Sequence, residues 1–270
     1  MEEQALPVSN VAARLHVLLA RDAPFAVILR RGPSKQVCSI GWNLHDDTFK
    51  VGQWLKGRVY ERLCDLSPDG RYLLYYATKH RVVDGGWLEY TVLSRAPYLK
   101  ALKIWKGEGS YGGTFIDKDH FALNGMEAAP KIFRVSPFGE VKNRTALAQI
   151  RRISDQAIWK LQRGDWNLSD EPKTQSTFHW DKTLADWQLR LTIQGNYFYP
   201  KRITYTLHNS KSEEMFDCAR WQWADFREKR VLWAQEGKIL AAKIWEGGRG
   251  PTKQLADFND WTFEPIAAPY

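Results

Sequence analysis

The chain has 270 residues and a formal net charge of +8, from 39 Lys and Arg against 31 Asp and Glu. Hydrophobic residues make up 44% and charged residues 26%, values typical of a globular protein that exclude a disordered chain. No apolar run approaches the ~18 residues of a membrane span. The three cysteines lack metal-type spacing and the first four residues do not form a secretory leader, which predicts a cytoplasmic protein.

The N-terminal segment has the apolar spacing of a helix. Over residues 8–21 the apolar residues share one face, Ser9 is a suitable cap, and Pro24 follows as a stop. We therefore expect an N-terminal helix within residues 1–24, followed by a single domain over residues 25–270.

Short apolar runs bounded by turn residues dominate the rest of the chain and predict strands. A hairpin is predicted between residues 25–29 and 37–42, because residues 31–34 supply the turn chemistry. Further strands are predicted over residues 87–93, 101–105, 120–123, 132–135, 187–193, 197–207, 230–234 and 239–244. The predicted fold class is therefore mostly β.

One turn phrase recurs within this β pattern. Residues 65–77 contain a strand end, the turn S-P-D-G-R at residues 67–71 and a second strand, and residues 115–123 and 225–234 follow the same plan. The proline presets φ for the turn and the glycine supplies a positive φ. The turn resembles the S-P-D-G-[RK] turn of WD40-like and TolB-like β-propellers. The resemblance implies a small or irregular β-propeller-like meander of about five blades, with a β-sandwich as the rival fold.

A second helix is predicted near residues 145–163, where apolar residues recur at steps of three and four. Between residues 131 and 163 eight Lys and Arg face only two acidic residues, so the helical insertion is basic. A solvated helix face explains this charge, and a nucleic-acid interface is the functional alternative. The residues that would bind nucleic acid are Arg144, Arg151, Arg152, Lys160 and Arg163.

Aromatic and basic residues are mixed over residues 53–62, which we expect to lie partly in an exposed loop. Trp, Tyr and Arg dominate binding hot spots because they bury much area at low entropy cost. The alternative is that the aromatic side chains fill the core. The candidate protein-binding residues are Trp54, Lys56, Arg58, Arg62, Trp105 and Tyr111.

The sequence carries no recognised catalytic constellation, and we expect no metal or cofactor. The six histidines lack metal-ligand spacing, and no serine-hydrolase motif is present. His45 lies beside Asp46 and Asp47, and His179 lies near Asp181, so acid–base or metal chemistry stays open at both. Turn-forming residues explain the His45 segment without chemistry.

These observations favour a non-catalytic, macromolecule-binding accessory or scaffold subunit with another protein as its partner. A nucleic-acid-associated subunit is the first alternative. A hydrolase or carbohydrate-binding propeller is the second, in which some of the 13 Trp would stack on sugars.

Overall fold

The computed structural model describes residues 11–32, 35–83, 86–106, 111–123, 131–141, 153–169, 177–197 and 199–270. Within these ranges the chain is mostly antiparallel β-sheet with one α-helix. Each sheet is built from strands that follow one another along the chain, so the strand pairing is local.

The first three sheets occupy the N-terminal half of the chain. The first contains β1 (Arg14–Leu19), β2 (Phe25–Arg31), β3 (Gln36–Asn43) and β4 (Thr48–Lys56). The second contains β5 (Arg58–Val59), β6 (Asp65–Leu66), β7 (Tyr72–Val83), β8 (Gly86–Arg95) and β9 (Ala101–Lys106), with a 3₁₀ helix at Glu61–Leu63. The third contains β10 (Gly113–Phe115), β11 (His120–Leu123), β12 (Lys131–Arg134) and β13 (Gly139–Glu140).

Two more sheets follow the helix α1 (Ile153–Arg163). The fourth sheet contains β14 (Asn167–Leu168), β15 (Thr177–Leu184), β16 (Trp187–Gly195), β17 (Pro200–Asn209) and β18 (Met215–Phe216). The fifth contains β19 (Trp221–Arg227), β20 (Arg230–Gln235), β21 (Lys238–Trp245), β22 (Gly248–Arg249) and β23 (Lys253–Asp257). β23 pairs with β21, so the last strand folds back onto its own sheet.

The predicted hairpin and the predicted turn phrase are both confirmed. β2 pairs with β3 in antiparallel register, with Ile28 opposite Ile40. In the turn at residues 67–71, the Gly70 N–H donates to the Ser67 carbonyl at 2.8 Å, and Gly70 has a φ of +74°. That φ is the left-handed conformation in which glycine carries no steric cost.

The predicted N-terminal helix is wrong where the structure describes it. Arg14–Leu19 forms β1, which pairs with β2 along its whole length, and Leu15 and Val17 alternate into the core. Residues 8–10 lie outside the described residues. The same apolar residues suit a strand of period two, and pairing with β2 selects that alternative. The single-domain organisation of residues 25–270 stays a prediction.

The helical insertion is confirmed over Ile153–Arg163, while residues 145–152 lie outside the described residues. Residues 53–62, which we expected to lie partly in an exposed loop, contain the end of β4 at Lys56, β5 and the start of the 3₁₀ helix. No described helix is long and apolar enough to cross a membrane. The cytoplasmic location stays a prediction.

The hydrophobic core is divided into clusters that each join two neighbouring sheets. The first sheet packs against the second through Val27 and Leu73, and the second packs against the third through Leu74 and Phe121. The fourth and fifth sheets share one further cluster, which includes Trp187 and Trp233.

The first and fifth sheets also pack face to face, so the two ends of the chain meet. Ile28 and Trp42 of the first sheet share a cluster with Leu232 and Ile239 of the fifth. The C-terminal segment reinforces this junction, because the Arg30 guanidinium donates to the Phe258 carbonyl at 2.9 Å. Packing and hydrogen bonds therefore join the two sheets, and no strand of the described residues is shared between them.

Candidate functional site

A cavity of about 170 Å³ lies among β1, the 3₁₀ helix, β6, α1, β16, β17 and β19. We call it the inner cavity. Its walls include apolar side chains such as Leu161, Leu191 and Trp223. The ionisable residues that line it are His16, Glu61, Arg62, Cys64, Asp65, Lys160, Arg163, Tyr197, Tyr205 and Asp225.

Asp65 on β6 is a buried carboxylate that accepts four hydrogen bonds. Its Oδ1 accepts from the Leu66 N–H at 3.0 Å and from Arg163 Nη2 at 2.6 Å. Its Oδ2 accepts from Thr114 Oγ1 at 2.9 Å and from the Phe115 N–H at 2.7 Å. Both oxygens are saturated, so Asp65 anchors α1 against the second and third sheets and is not available as a base.

Asp225 on β19 occupies the same place in the repeated turn phrase as Asp65. Its Oδ1 accepts from the next residue's N–H, that of Phe226, at 2.7 Å and from Lys182 Nζ at 2.7 Å. Trp166 Nε1 donates to Oδ2 at a longer 3.4 Å. Burial raises the pKa of Asp225 above its ordinary value, although Lys182 opposes this. The second oxygen therefore has capacity left for a proton or a ligand.

Arg62 and Lys160 bring two further positive charges to the inner cavity. Lys160 Nζ donates to the Arg62 carbonyl at 3.3 Å and to the Cys64 carbonyl at 3.0 Å, so α1 is tied to the 3₁₀ segment. Burial lowers the pKa of both cations. Among the described residues neither forms an ion pair with a carboxylate.

His16 on β1 faces these charges with a neutral imidazole. Burial and then the positive charges of Arg62, Lys160 and Arg31 lower the pKa of His16 from 6.5 to about 3. β1 and β19 are joined across the cavity wall, because the Leu15 N–H donates to Gln222 Oε1 at 2.9 Å. The strand that carries His16 therefore lies beside the strand that carries Asp225.

The other titratable groups of the inner cavity are held in their neutral forms. Burial raises the pKa of the Cys64 thiol to about 12, and the thiol contacts the Tyr60 carbonyl at 3.3 Å. Burial raises the pKa of Tyr205 to about 12 and also raises that of Tyr197. Because only a thiolate is a good nucleophile, Cys64 is inert.

The candidate protein-binding residues at positions 54–62 are divided by the structure. Trp54 is half-buried beneath the Arg30 guanidinium, 5.4 Å from its ring centroid. Lys56 is exposed above the Phe263 ring, and Arg58 is exposed above Tyr60. Arg62 lies at the inner cavity instead.

The other two candidate contact residues belong to aromatic clusters. Trp105 packs against Phe121, Phe133 and Phe138 between the second and third sheets. The Tyr111 ring lies 5.8 Å from the ring of Tyr76, and both are at least half-buried. The environment of Trp105 is therefore the one expected of an aromatic side chain that fills space between sheets.

The basic insertion places its described cations inside the molecule. Arg163 is 10% exposed at its side chain and Lys160 lines the inner cavity, so neither forms a solvated face. Arg144, Arg151 and Arg152 lie outside the described residues. Nucleic-acid binding by this segment stays a prediction.

The two histidines left open by the sequence lie elsewhere. His45 is exposed in the turn between β3 and β4, where Thr48 bonds to Asp46, as turn formation predicts. His179 on β15 bonds to Thr192 Oγ1 at 3.0 Å. Within the described ranges, no three His, Cys, Asp or Glu side chains are grouped as a metal site.

Sequence reasoning missed His16 and Asp225. His16 stands in a segment whose apolar spacing predicts a helix, and it has no motif around it. A signal existed for the carboxylates, because Asp65 and Asp225 both open a copy of the repeated turn phrase.

The fold and the cavity define a mostly β, propeller-like protein. No family model and no curated protein sequence matches the chain. Solved structures do align with it, although at low similarity. The AtxE2 isopeptidase is 10% identical with a TM-score of 0.42, and the alignment covers 92% of this chain and 54% of the isopeptidase.

Two further structures align over most of both chains. The β-propeller domain of the Trilobed protease from Pyrococcus furiosus is 12% identical, with 96% of this chain and 99% of that chain covered and a TM-score of 0.36. The periplasmic gluconolactonase PpgL of Pseudomonas aeruginosa is 10% identical, with 92% and 85% covered and a TM-score of 0.39. These likenesses concern a β-propeller-like fold and do not single out WD40-like or TolB-like propellers.

The prediction of a non-catalytic accessory or scaffold subunit is corrected by this comparison. The aligned structures include an isopeptidase, a gluconolactonase and a GH43 protein from Bacillus licheniformis. The ionisable side chains of the inner cavity were not anticipated by the scaffold prediction.

Proposed function

We propose that the protein is a hydrolase whose reaction takes place in the inner cavity, with His16 as the general base toward water. The observation that carries this proposal is that the His16 imidazole on β1 and the buried Asp225 carboxyl on the adjacent strand β19 line the same cavity. Burial keeps His16 neutral and therefore able to accept a proton, and it raises the pKa of Asp225, which favours the protonated carboxyl that can donate one.

The two residues divide the proton transfers of a hydrolysis between them. His16 takes a proton from water, and the water oxygen forms a bond to the electrophilic carbon of the substrate. Asp225, when protonated, gives its proton to the leaving-group oxygen as the bond to that oxygen breaks. The proton on His16 then returns to Asp225 through solvent, and both groups regain their starting states.

Direct attack by water is favoured over a covalent intermediate. Within the described residues the inner cavity is lined by no Ser or Thr, and the Cys64 thiol is neutral. A glycosidase-type pair of carboxylates is disfavoured as well, since Asp65 accepts four hydrogen bonds and is held by Arg163.

The packing of the sheets also supports a finer description of the fold. We propose that the five sheets are five propeller blades arranged around the inner cavity. The clusters that join the first sheet to the second and to the fifth support this order, and so does α1, whose Arg163 bonds to Phe115 of the third sheet. The ring would be closed by packing rather than by a shared strand.

The test is a hydrolysis assay with p-nitrophenyl acetate, p-nitrophenyl phosphate, a p-nitrophenyl glycoside and a small lactone. We expect turnover of at least one class, and we expect His16→Gln and Asp225→Asn each to lower kcat/KM by about 100-fold or more. His45→Gln is the matched control, because His45 is exposed in a turn, and its activity should equal that of the parent chain.

Circular dichroism and thermal melting would establish that the variants fold. Activity that survives in folded His16→Gln at the level of His45→Gln would refute the role of His16. Absence of turnover with every class would refute a hydrolase of these bonds.

A further inference from the structure

We propose that the inner cavity binds an oxyanion of the substrate, a carboxylate or a phosphate, between the Arg62 guanidinium and the Lys160 ammonium. The word substrate rests on the proposed function. The anion site itself rests on the charges, contacts and volume of the cavity.

Every carboxylate at the inner cavity already has a cationic partner. Glu61 pairs with Arg31 at 3.2 Å, and the carboxylates of Asp65 and Asp225 pair with Arg163 and Lys182. The positive charges of Arg62 and Lys160 are left over. Among the described residues, Arg62 and Lys160 are therefore the two cations of the cavity wall that have no carboxylate within ion-pair distance.

Arg62 and Lys160 both line the inner cavity and are in contact through the Arg62 backbone. Lys160 Nζ bonds to the carbonyl of Arg62 itself, at 3.3 Å, and one of its three N–H groups remains after the bond to Cys64. The charge of Arg62 lowers the pKa of His16 and opposes the raised pKa of Tyr197 and Tyr205. The Arg62 guanidinium therefore influences the pKa of side chains on three different parts of the cavity wall.

A bound anion would offset a charge arrangement that is otherwise unfavourable. Buried cations without a counter-charge are costly, and a guanidinium fork matches the two oxygens of a carboxylate or phosphate. The volume of about 170 Å³ lies below the ~300–1,000 Å³ of ordinary ligand pockets, so the ligand must be compact.

Anion binding would also change the catalytic base. Arg62, Lys160 and Arg31 act on His16 directly. The charged and titratable groups that line the cavity with it are Glu61, Arg62, Cys64, Asp65, Lys160, Arg163, Tyr197, Tyr205 and Asp225. An anion between Arg62 and Lys160 would offset the two largest positive contributions, so the pKa of His16 would rise from about 3 toward its ordinary value. His16 would become a stronger base when substrate is bound.

The test is an NMR titration of the His16 side chain in the full-length chain, in chloride alone, with inorganic phosphate and with acetate. We expect phosphate or acetate at about 10 mM to raise the pKa of His16 by at least about one unit. The anion that produces the larger rise identifies the preferred group.

Variants of the two cations give an independent measurement. Arg62→Gln and Lys160→Gln should each weaken anion binding in calorimetry by about tenfold or more. Arg220→Gln is the control, because it removes an exposed cation that pairs with Glu236 outside the cavity. Lys160→Arg keeps the charge and should retain binding if Lys160→Gln fails to fold.

The outcomes separate the two proposals. Absence of heat and of any shift at His16 with both anions would overturn the anion site, whatever the hydrolysis assay shows. Equal binding by the parent chain and folded Arg62→Gln would overturn it as well. Anion binding without turnover would leave the site intact and refute the hydrolase.

Discussion

Asp65→Asn tests the structural foundation of the inner cavity. The carboxylate is 6% exposed at its side chain and accepts from Leu66, Thr114, Phe115 and Arg163. Asparagine has one acceptor oxygen, so its NH₂ group would face two donors, and the Arg163 charge would be buried without a counter-charge. Removing one partner of a buried ion pair costs about 3–5 kcal/mol, which is a large part of a typical folding stability of about 5–15 kcal/mol.

The assay is equilibrium unfolding in urea followed by tryptophan fluorescence. Asp22→Asn is the matched control, because its partner Arg21 lies at the surface and the two side chains are 51% and 48% exposed. Exposed pairs contribute about 0–1 kcal/mol. The double variant Asp65→Asn, Arg163→Met should cost less than the sum of the single changes, since it leaves no unpaired charge.

If Asp65→Asn lowered the free energy of unfolding no more than Asp22→Asn does, burial would not strengthen the Asp65–Arg163 pair. Additive single changes in the Asp65 and Arg163 cycle would show that the two side chains do not act as a pair.

His16 and the turn glycine give two further predictions. Because the pKa of folded His16, about 3, lies below 6.5, stability is full above about pH 6.5 and falls as the pH drops, by about 1.4 kcal/mol per pH unit. His16→Gln should remove this slope in urea unfolding between about pH 6.5 and pH 4, and an unchanged slope would contradict the neutral imidazole. Gly70→Ala should cost about 1–3 kcal/mol, because Gly70 has a φ of +74° and the added Cβ would lie 2.9 Å from the Phe25 ring. Gly139→Ala, with nothing within 4 Å of its Cβ, should be nearly neutral in the same thermal melts, and equal losses would contradict the steric argument.

The strands and turns were predictable because their signals are local. The strand over residues 187–193 and the turn at residues 67–71 both follow from short windows of sequence, and the structure has β16 and a Gly70 turn there. β1 was not predictable in this way, because Leu15 and its apolar neighbours fit a helix face as well as a strand. Pairing with β2, whose apolar residues must also be covered, decides between the two.

The candidate site was harder to predict, because charge pairing joins distant parts of the chain. The Arg163 guanidinium meets the Asp65 carboxylate across 98 positions of sequence, and Lys182 meets Asp225 across 43. The amino-acid sequence shows an excess of basic residues over residues 131–163, and such an excess is typical of a solvated helix or a phosphate-binding face. Which cations are already neutralised is a property of the folded chain alone.

Whether a basic residue is paired with a carboxylate decides its role in the folded chain. A basic residue paired with a carboxylate holds two elements together, as Arg163 holds α1 to the second sheet. A basic residue that lines a cavity without a carboxylate partner favours the binding of an anion, and we propose this for Arg62 and Lys160 at the inner cavity. Lys160 and Arg163 lie three residues apart on one helix, yet Arg163 is neutralised by Asp65, while the partners of Lys160 within the described part of the chain are uncharged carbonyls. Two basic residues on the same helix therefore differ in charge balance: Arg163 is neutralised by Asp65, whereas Lys160 holds α1 to the 3₁₀ segment and keeps its charge for the proposed anion.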